Sequence, residues 1–329
     1  MNTAAPTLPV TPAAAAHRAA DTARTAAAAR RGWWLGLAGV LMFSLSIPMT
    51  RLAGGDVTQP QLPPDFVAIG RAAVAGLLSA LYLLATRAPR PQGRQWGLLA
   101  VSAAGVVFGF PWFSGFAVRH VEAIHASVIN GFLPLATAVV AAVWLRQRPA
   151  PAFWGCALLG CALVVAFAAV QGGGRLQAAD GLLLAAVAAG AVGYVGGARL
   201  AAQGLRGEHV ICWMLVLCLP ITLPWAIGIA LQQPAALAEA RPAAWGGFAY
   251  VSLVSMWLGF FAWYRGLALG GTLRVSQVQL VQPFASMLVA VPLLGERLDL
   301  VTVLFALAVI ATVLLGKRMP VHPPQEPAR

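Results

Sequence analysis

The chain has 329 residues, of which 60% are hydrophobic and only 10% charged, and its formal net charge is +12. Soluble domains carry roughly 25% charged residues, so this composition excludes a soluble globular protein and predicts an all-α integral membrane protein. The arginines lie between apolar runs and no groove-reading motif accompanies them, which argues against nucleic acid as a partner. The four cysteines match no zinc or redox spacing, and no cofactor is expected.

In chain order, residues 1–31 are rich in Ala, Thr and Pro and predict a flexible N-terminal tail. Ten apolar segments of spanning length follow, with short Gly- and Pro-containing loops between them. The segments run over residues 33–53, 64–86, 95–118, 123–145, 151–170, 179–201, 208–231, 243–267, 274–294 and 299–316. Residues 318–329 are a short C-terminal tail, and no soluble domain interrupts the series.

Loop charges predict the orientation, because cytoplasmic loops carry an excess of Lys and Arg. With the N-terminus inside, sixteen such residues fall on the cytoplasmic side and five on the other, with Arg71 set aside. Both tails are therefore expected to be cytoplasmic, with membrane lipid around the spans.

The fourth and ninth spans share one pattern of a serine, an amide, a proline and a hydroxyl, 149 positions apart. The matched pairs are Ser127 and Ser276, Asn130 and Gln279, Pro134 and Pro283, and Thr137 and Ser286. On a helix the four positions lie within about 80° of each other. The repetition predicts two homologous halves, residues 32–171 and 172–317. Because each half has five spans, an odd number, the second is expected to be inverted in the membrane.

The prolines have a local consequence. Each lacks an N–H, so the carbonyl groups of Asn130 and Gln279, four residues earlier, lose their helical donors. In a bilayer, such carbonyls and amides must find partners in protein, water or a ligand. Two interpretations stay open: hydrogen bonds between neighbouring helices, or a substrate cavity. The residues expected to line that cavity are Asn130, Gln279, Ser127 and Ser276. Repetition in both halves favours the cavity.

Four more residues extend this candidate site. Gln282 lies one turn beyond Gln279, and Trp112 and Tyr194 lie deep in the third and sixth spans, where core packing is the alternative role. Arg71 lies about 9 Å into the second span. It either snorkels to the membrane surface or faces the interior, where it is available to a carboxylate.

No catalytic motif is present, and every acidic residue falls at a span end, in a loop or in a tail. No carboxylate is therefore expected to be buried in a span, which argues against an enzyme and against tight proton coupling. A small-molecule transporter is favoured, with neutral or zwitterionic substrates. A drug or quaternary-cation exporter, which would favour a buried acid, is one alternative, and a non-transporting scaffold or an enzyme without a recognised motif is another.

The chain resembles the EamA-type transporters of the drug/metabolite transporter superfamily over about residues 33–317. The resemblance rests on the five-plus-five layout, on Arg71 within A-I-G-R-A-A-V-A, and on S-Q-V-Q-L-V-Q-P-F followed by L-L-G-E-R-L-D. It implies alternating access, export of amino acids or related metabolites through a bacterial inner membrane, and a central cavity between the first, third, fourth, sixth, eighth and ninth spans. The first half departs from the pattern, since Leu145-Arg146-Gln147-Arg148 replaces the G-E-R turn. Glu296 of that turn is interpreted as a structural residue rather than a proton carrier.

Overall fold

The computed structural model describes residues 12–144, 148–270, 275, 277–319 and 321–322. Between their loops and turns, the regular structure of these residues is helical, apart from one isolated bridge and a two-residue antiparallel pair, β1 (Arg148–Pro149) and β2 (Val321–His322). Ser276, one of the candidate site residues, lies outside the described residues.

Each half has five helical segments. In the first half they are α1 (Pro12–Ser44 and Ser46–Gly54), α2 (Pro64–Ala85), α3 (Gln95–Ala103, a π-helical stretch Ala104–Gly109, and Phe110–Ala117), α4 (Ala123–Asn130 and Leu133–Trp144) and α5 (Pro151–Gln171). In the second half they are α6 (Ala178–Ala202), α7 (Gly207–Gln232), α8 (Pro242–Ala249, a π-helical stretch Tyr250–Leu258, and Gly259–Gly270), α9 (a 3-10 turn Gln277–Val281 and a helix Gln282–Leu294) and α10 (Leu300–Arg318). A short helix, Pro234–Glu239, joins α7 to α8.

Within the described residues, α1 to α8 contain eight helices long and apolar enough to cross a membrane, and α9 and α10 are shorter apolar helices. The all-helical, multi-pass membrane architecture predicted from composition is confirmed at this level. Ten crossings arranged as an inverted repeat remain a prediction.

Helix α1 begins at Pro12, inside the segment 1–31 that the sequence predicted to be a flexible tail. Two local preferences account for this. Alanine, which dominates the segment, has the highest helix propensity of all residues, and proline suits the first turn of a helix because its missing N–H would have no partner there.

Helices α4 and α9 are both interrupted where their prolines predict it. Gly131 and Phe132 form a turn between the two parts of α4, and a 3-10 turn precedes the regular part of α9. When 149 is subtracted from the residue numbers of α9, its interruption falls on the same positions as the interruption of α4. They also touch, because a Cβ built on Gly131 would lie 3.1 Å from Pro283 Cγ. The proline pattern thus marks the place where the halves meet.

The π-helical stretches are a second feature that the halves share. The stretch in α8 includes the positions that lie 149 residues beyond the stretch in α3. Single π-turns inside α-helices are frequent at functional sites, because the extra residue re-aims the side chains that follow.

The contacts between helices are equivalent when the two halves are exchanged. Helix α1 packs on α8 as α6 packs on α3, and the equivalent helices α2 and α7, α4 and α9, and α5 and α10 contact each other. Glycines allow two of these crossings to be close. A Cβ on Gly32 of α1 would lie 2.2 Å from the backbone N of Gly270, and one on Gly105 of α3 would lie 2.3 Å from the carbonyl oxygen of Ala189.

Candidate functional site

A narrow cavity lies between the two halves. All six helices that the family resemblance implied contribute to it, and α2 contributes one residue more. Its polar lining residues are Ser46, Arg71, Asn130, Tyr194, Ser255 and Gln282, and its apolar ones are Phe43, Ile47, Val106, Phe110, Pro111, Leu133, Gly190, Met256 and Phe260. Such an apolar enclosure with a few convergent polar groups is typical of small-molecule sites.

Arg71 is the cation of this cavity. Its side chain is only 4% exposed, so it faces the interior and does not snorkel. Its Nη2 donates to Ser255 Oγ at 3.0 Å, and Ser255 Oγ lies 2.6 Å from Ser46 Oγ. Within the described part of the chain, Nε has no hydrogen-bond partner, and no carboxylate forms a salt bridge with this guanidinium. A buried charge without a counter-charge is costly, so a ligand that supplies one would be stabilised here.

Asn130 is the main acceptor. It ends the first part of α4, beside the interruption, and is 8% exposed. Its side-chain Oδ1 is buried without a partner among the described residues, and Pro134 cannot donate to its backbone carbonyl. Gln282 and Tyr194 line the same cavity from α9 and α6. The structure therefore brings four of the predicted site residues together.

The remaining predicted residues lie elsewhere. Ser127 Oγ donates to the carbonyl of Ala123 (2.6 Å) and accepts from Ser286 Oγ (2.7 Å), so it joins α4 to α9. Gln279 is buried in the 3-10 turn of α9 but does not line the cavity. Trp112 packs against Phe116 and Trp225, with ring centroids 5.1 and 5.3 Å away, on the side of α3 near α2 and α7. Of the paired polar residues, Ser127 therefore joins two helices and Asn130 lines the cavity.

Ser255 is a cavity residue that the sequence did not single out. It lies in the π-helical stretch of α8 and is the only described partner of the Arg71 guanidinium. A weak signal was available, since Ser252 and Ser255 place two hydroxyls three residues apart in an apolar span. Ser252 nevertheless bonds back to its own helix, at the carbonyl of Phe248 (2.7 Å), which is the commoner role of a serine in such a position.

Two carboxylates from the second half hold the beginning of α4. The N–H groups of Ala123 and Ile124 donate to the two oxygens of Glu296, at 2.7 and 2.8 Å. His125 Nε2 donates to Asp180 Oδ1 at 2.7 Å, and Asp180 Oδ2 accepts from the N–H of Gln177 at 2.8 Å. A carboxylate at a helix N-terminus satisfies free N–H groups and complements the helix dipole.

The expectation that no carboxylate is buried in a span is wrong for Asp180. This residue lies in the first turn of α6 and is 3% exposed. The position of Asp180 in the sequence suggested an exposed span end, but residues of α4 and α5 cover the side chain. His125 of α4 is its partner, and the ring of Phe167 of α5 lies 5.0 Å from the ring of His125. The premise that argued against proton coupling is thereby removed.

The carboxyl of Glu296 lies in the turn between α9 and α10. Burial raises its pKa, and the N–H groups of Ala123 and Ile124, which lower it, offset only part of the effect. Asp299, which caps α10, shows the opposite behaviour: hydrogen bonds from Thr302 hold its pKa below the usual range. The first group therefore favours the folded state most at low pH, and the second at higher pH.

Replacing Glu296 with Ala is expected to destabilise the protein by about 1–2 kcal/mol, because two buried N–H groups of α4 lose their acceptor. Because the pKa of Glu296 is raised in the folded state, the stability that its carboxyl contributes is full below the unfolded-state pKa. That stability is lost as the pH rises through the folded-state pKa. The loss should therefore be larger near about pH 4 than near about pH 8. Thermal unfolding in detergent measures it, with the exposed Glu239→Ala as the matched control. An equal effect of the two substitutions would show that Glu296 does not cap α4.

Comparison with known proteins identifies the family. The model of the EamA-like transporter family matches twice, over residues 30–169 and 177–316, once in each half. The chain belongs to the EamA-like transporter family. It is therefore a membrane transporter, as the cavity between its halves and the resemblance of its motifs had indicated.

A relative and a solved structure agree with this membership. The EamA-like chain is 42% identical over 293 residues to the uncharacterized transporter YdeK of Bacillus subtilis (strain 168), a match that covers 87% of this chain and 97% of the relative. A chain of known crystal structure superposes with a TM-score of 0.55 at 19% identity, covering 86% of this chain and 95% of its own. The second likeness shows the fold alone.

Proposed function

We propose that this EamA-like protein exports small organic metabolites by alternating access about the central cavity. Amino acids or related zwitterions are the substrate class expected from the sequence. The observation that carries the proposal is a pair of buried polar atoms on two residues that line the cavity, Nε of Arg71 and Oδ1 of Asn130, neither of which has a hydrogen-bond partner among the described residues. Burying such a polar group in a low-dielectric interior without a hydrogen-bond partner costs free energy. A solute with an acceptor and a donor at suitable positions satisfies both.

We also propose the ten-span inverted repeat as the framework of the movement. The coincidence of the helix interruptions, the shared π-helical stretches and the exchangeable contacts between halves support it. Loop charges support cytoplasmic termini in the inner membrane. The halves would rock about the cavity, with the glycine-lined crossings of α1 with α8 and α3 with α6 as the sliding surfaces.

The alternatives are less well supported. A drug or quaternary-cation exporter would favour an acid in the cavity, whereas the charged lining residue is Arg71. Membership of a transporter family speaks against an enzyme. A non-transporting scaffold predicts that the polar groups of α4 and α9 only join helices. The hydroxyls of Ser127 and Ser286 do so. Oδ1 of Asn130 does not, because it is buried without a partner among the described residues.

Counterflow in proteoliposomes tests the proposal, with purified protein and a panel of amino acids, other organic acids, nucleosides, sugars and quaternary amines. Asn130→Ala and Gln282→Ala are expected to lower uptake of the transported class by about tenfold or more, because a buried partner group then goes unpaired. Gln232→Ala, an exposed amide at the end of α7, is the control. Equal uptake by all three folded variants, or no uptake of any solute by the folded protein, would contradict it.

A further inference from the structure

The geometry points to a charge preference in the cavity: we infer that it selects organic monoanions, namely solutes with one carboxylate, a neutral hydrogen-bond donor and an apolar body. A zwitterion of the same shape is expected to bind less tightly. This inference rests on the proposed transport site but departs from the substrate class expected for it. The sequence favoured neutral or zwitterionic solutes, whereas the charge of the lining favours anions.

The first observation is the net charge of the lining. Arg71 contributes one positive charge, and the other lining groups are hydroxyls, amides and apolar side chains. The two buried acids of the described chain are engaged elsewhere, Glu296 with the N-terminus of α4 and Asp180 with His125. The lining of the cavity therefore carries an uncompensated positive charge, and a ligand with a net negative charge neutralises it.

The second observation is how the guanidinium is held. Ser255 accepts from Nη2 and is itself bonded to Ser46, so α8 and α1 fix one edge of the group. Both serines are neutral and leave the positive charge of Arg71 intact. Nε has no described partner. A carboxylate can accept two parallel N–H bonds from a guanidinium edge, which a hydroxyl cannot do.

The third observation concerns the place for a second polar group. Oδ1 of Asn130 is a neutral acceptor without a described partner. A ligand hydroxyl or amide N–H satisfies it without adding charge. An ammonium group would satisfy it too, but would enter a cavity that already contains a cation and offers no carboxylate to pair with it. Desolvation of that ammonium would go uncompensated.

The apolar lining defines the rest of the solute. Phe43, Ile47, Val106, Leu133, Met256 and Phe260 surround the polar groups. They offer no further charge and favour a hydrocarbon body of modest size. A branched aliphatic chain fits the chemistry of these walls.

Three solutes that share one shape test the inference on the full-length protein. Leucine is a zwitterion, 2-hydroxyisocaproate is a monoanion with a neutral hydroxyl donor, and leucinamide is a cation. Binding is measured by calorimetry in detergent, and transport by counterflow in proteoliposomes. The hydroxy acid is expected to bind about tenfold or more tightly than leucine, and leucinamide least. Tighter binding of leucine, or no binding of any of the three, would overturn the inference.

Two variants separate charge from shape. Arg71→Gln is expected to bring the affinities for leucine and the hydroxy acid to within about threefold of each other, and Arg71→Lys is expected to retain the order because it keeps the charge. An unchanged preference in folded Arg71→Gln would place the discrimination elsewhere and contradict the inference. Binding in the expected order without counterflow would leave the charge preference standing and refute the proposed transport.

Discussion

His125→Leu is expected to lower the free energy of unfolding by about 3–5 kcal/mol, because it leaves the buried carboxylate of Asp180 without its side-chain partner. The two groups are 2.7 Å apart and both are buried. Asp180→Asn should cost less, about 1–2 kcal/mol. The amide oxygen still accepts from His125 Nε2 and no charge is left unpaired, and the cost comes from the N–H of Gln177, which loses its acceptor. Unfolding by SDS in mixed micelles measures both.

The double substitution decides whether the two residues act as a pair. His125→Leu with Asp180→Asn is expected to be more stable than His125→Leu alone, because the buried charge has been removed together with its partner. His120→Leu, at an exposed position in the turn before α4, controls for the loss of an imidazole. Strictly additive effects would show that the contact contributes no coupling between α4 and α6.

Gly105→Ala is expected to destabilise the protein by about 3 kcal/mol or to prevent folding, because overpacking at a backbone contact cannot be relieved by a side-chain rotation. The new Cβ would lie 2.3 Å from the carbonyl oxygen of Ala189 and 2.9 Å from the N of Gly193, both backbone atoms of α6. The yield of monodisperse protein and its unfolding in SDS measure the effect.

Gly97→Ala is the matched control in the same span. Nothing lies within 4 Å of its added Cβ, and alanine has the higher helix propensity, so the change should be neutral or stabilising by up to about 1 kcal/mol. If both variants were equally stable, α3 and α6 would not cross as closely as described. If both were equally damaged, the cost would come from glycine's place in the helix rather than from the crossing.

The sequence by itself determined the class, the helices and the place where they break. Composition and run length require a membrane environment for this chain, because a soluble core has no room for so much apolar surface. The interruptions in α4 and α9 follow from Pro134 and Pro283, whose effect on the backbone is local and needs no neighbour. The 149-residue repeat also showed that these two interruptions belong to equivalent helices.

Only the tertiary structure decided which polar groups share the cavity. The direction of Arg71, the bond between Ser127 and Ser286, and the burial of Asp180 each depend on which helix faces which, and a helical period carries no such information. The π-helical stretches add a second reason. Each inserts a residue into the turn, so that positions within and beyond it, Ser255 in α8 and Trp112 in α3, are rotated away from the faces that a regular period of 3.6 predicts.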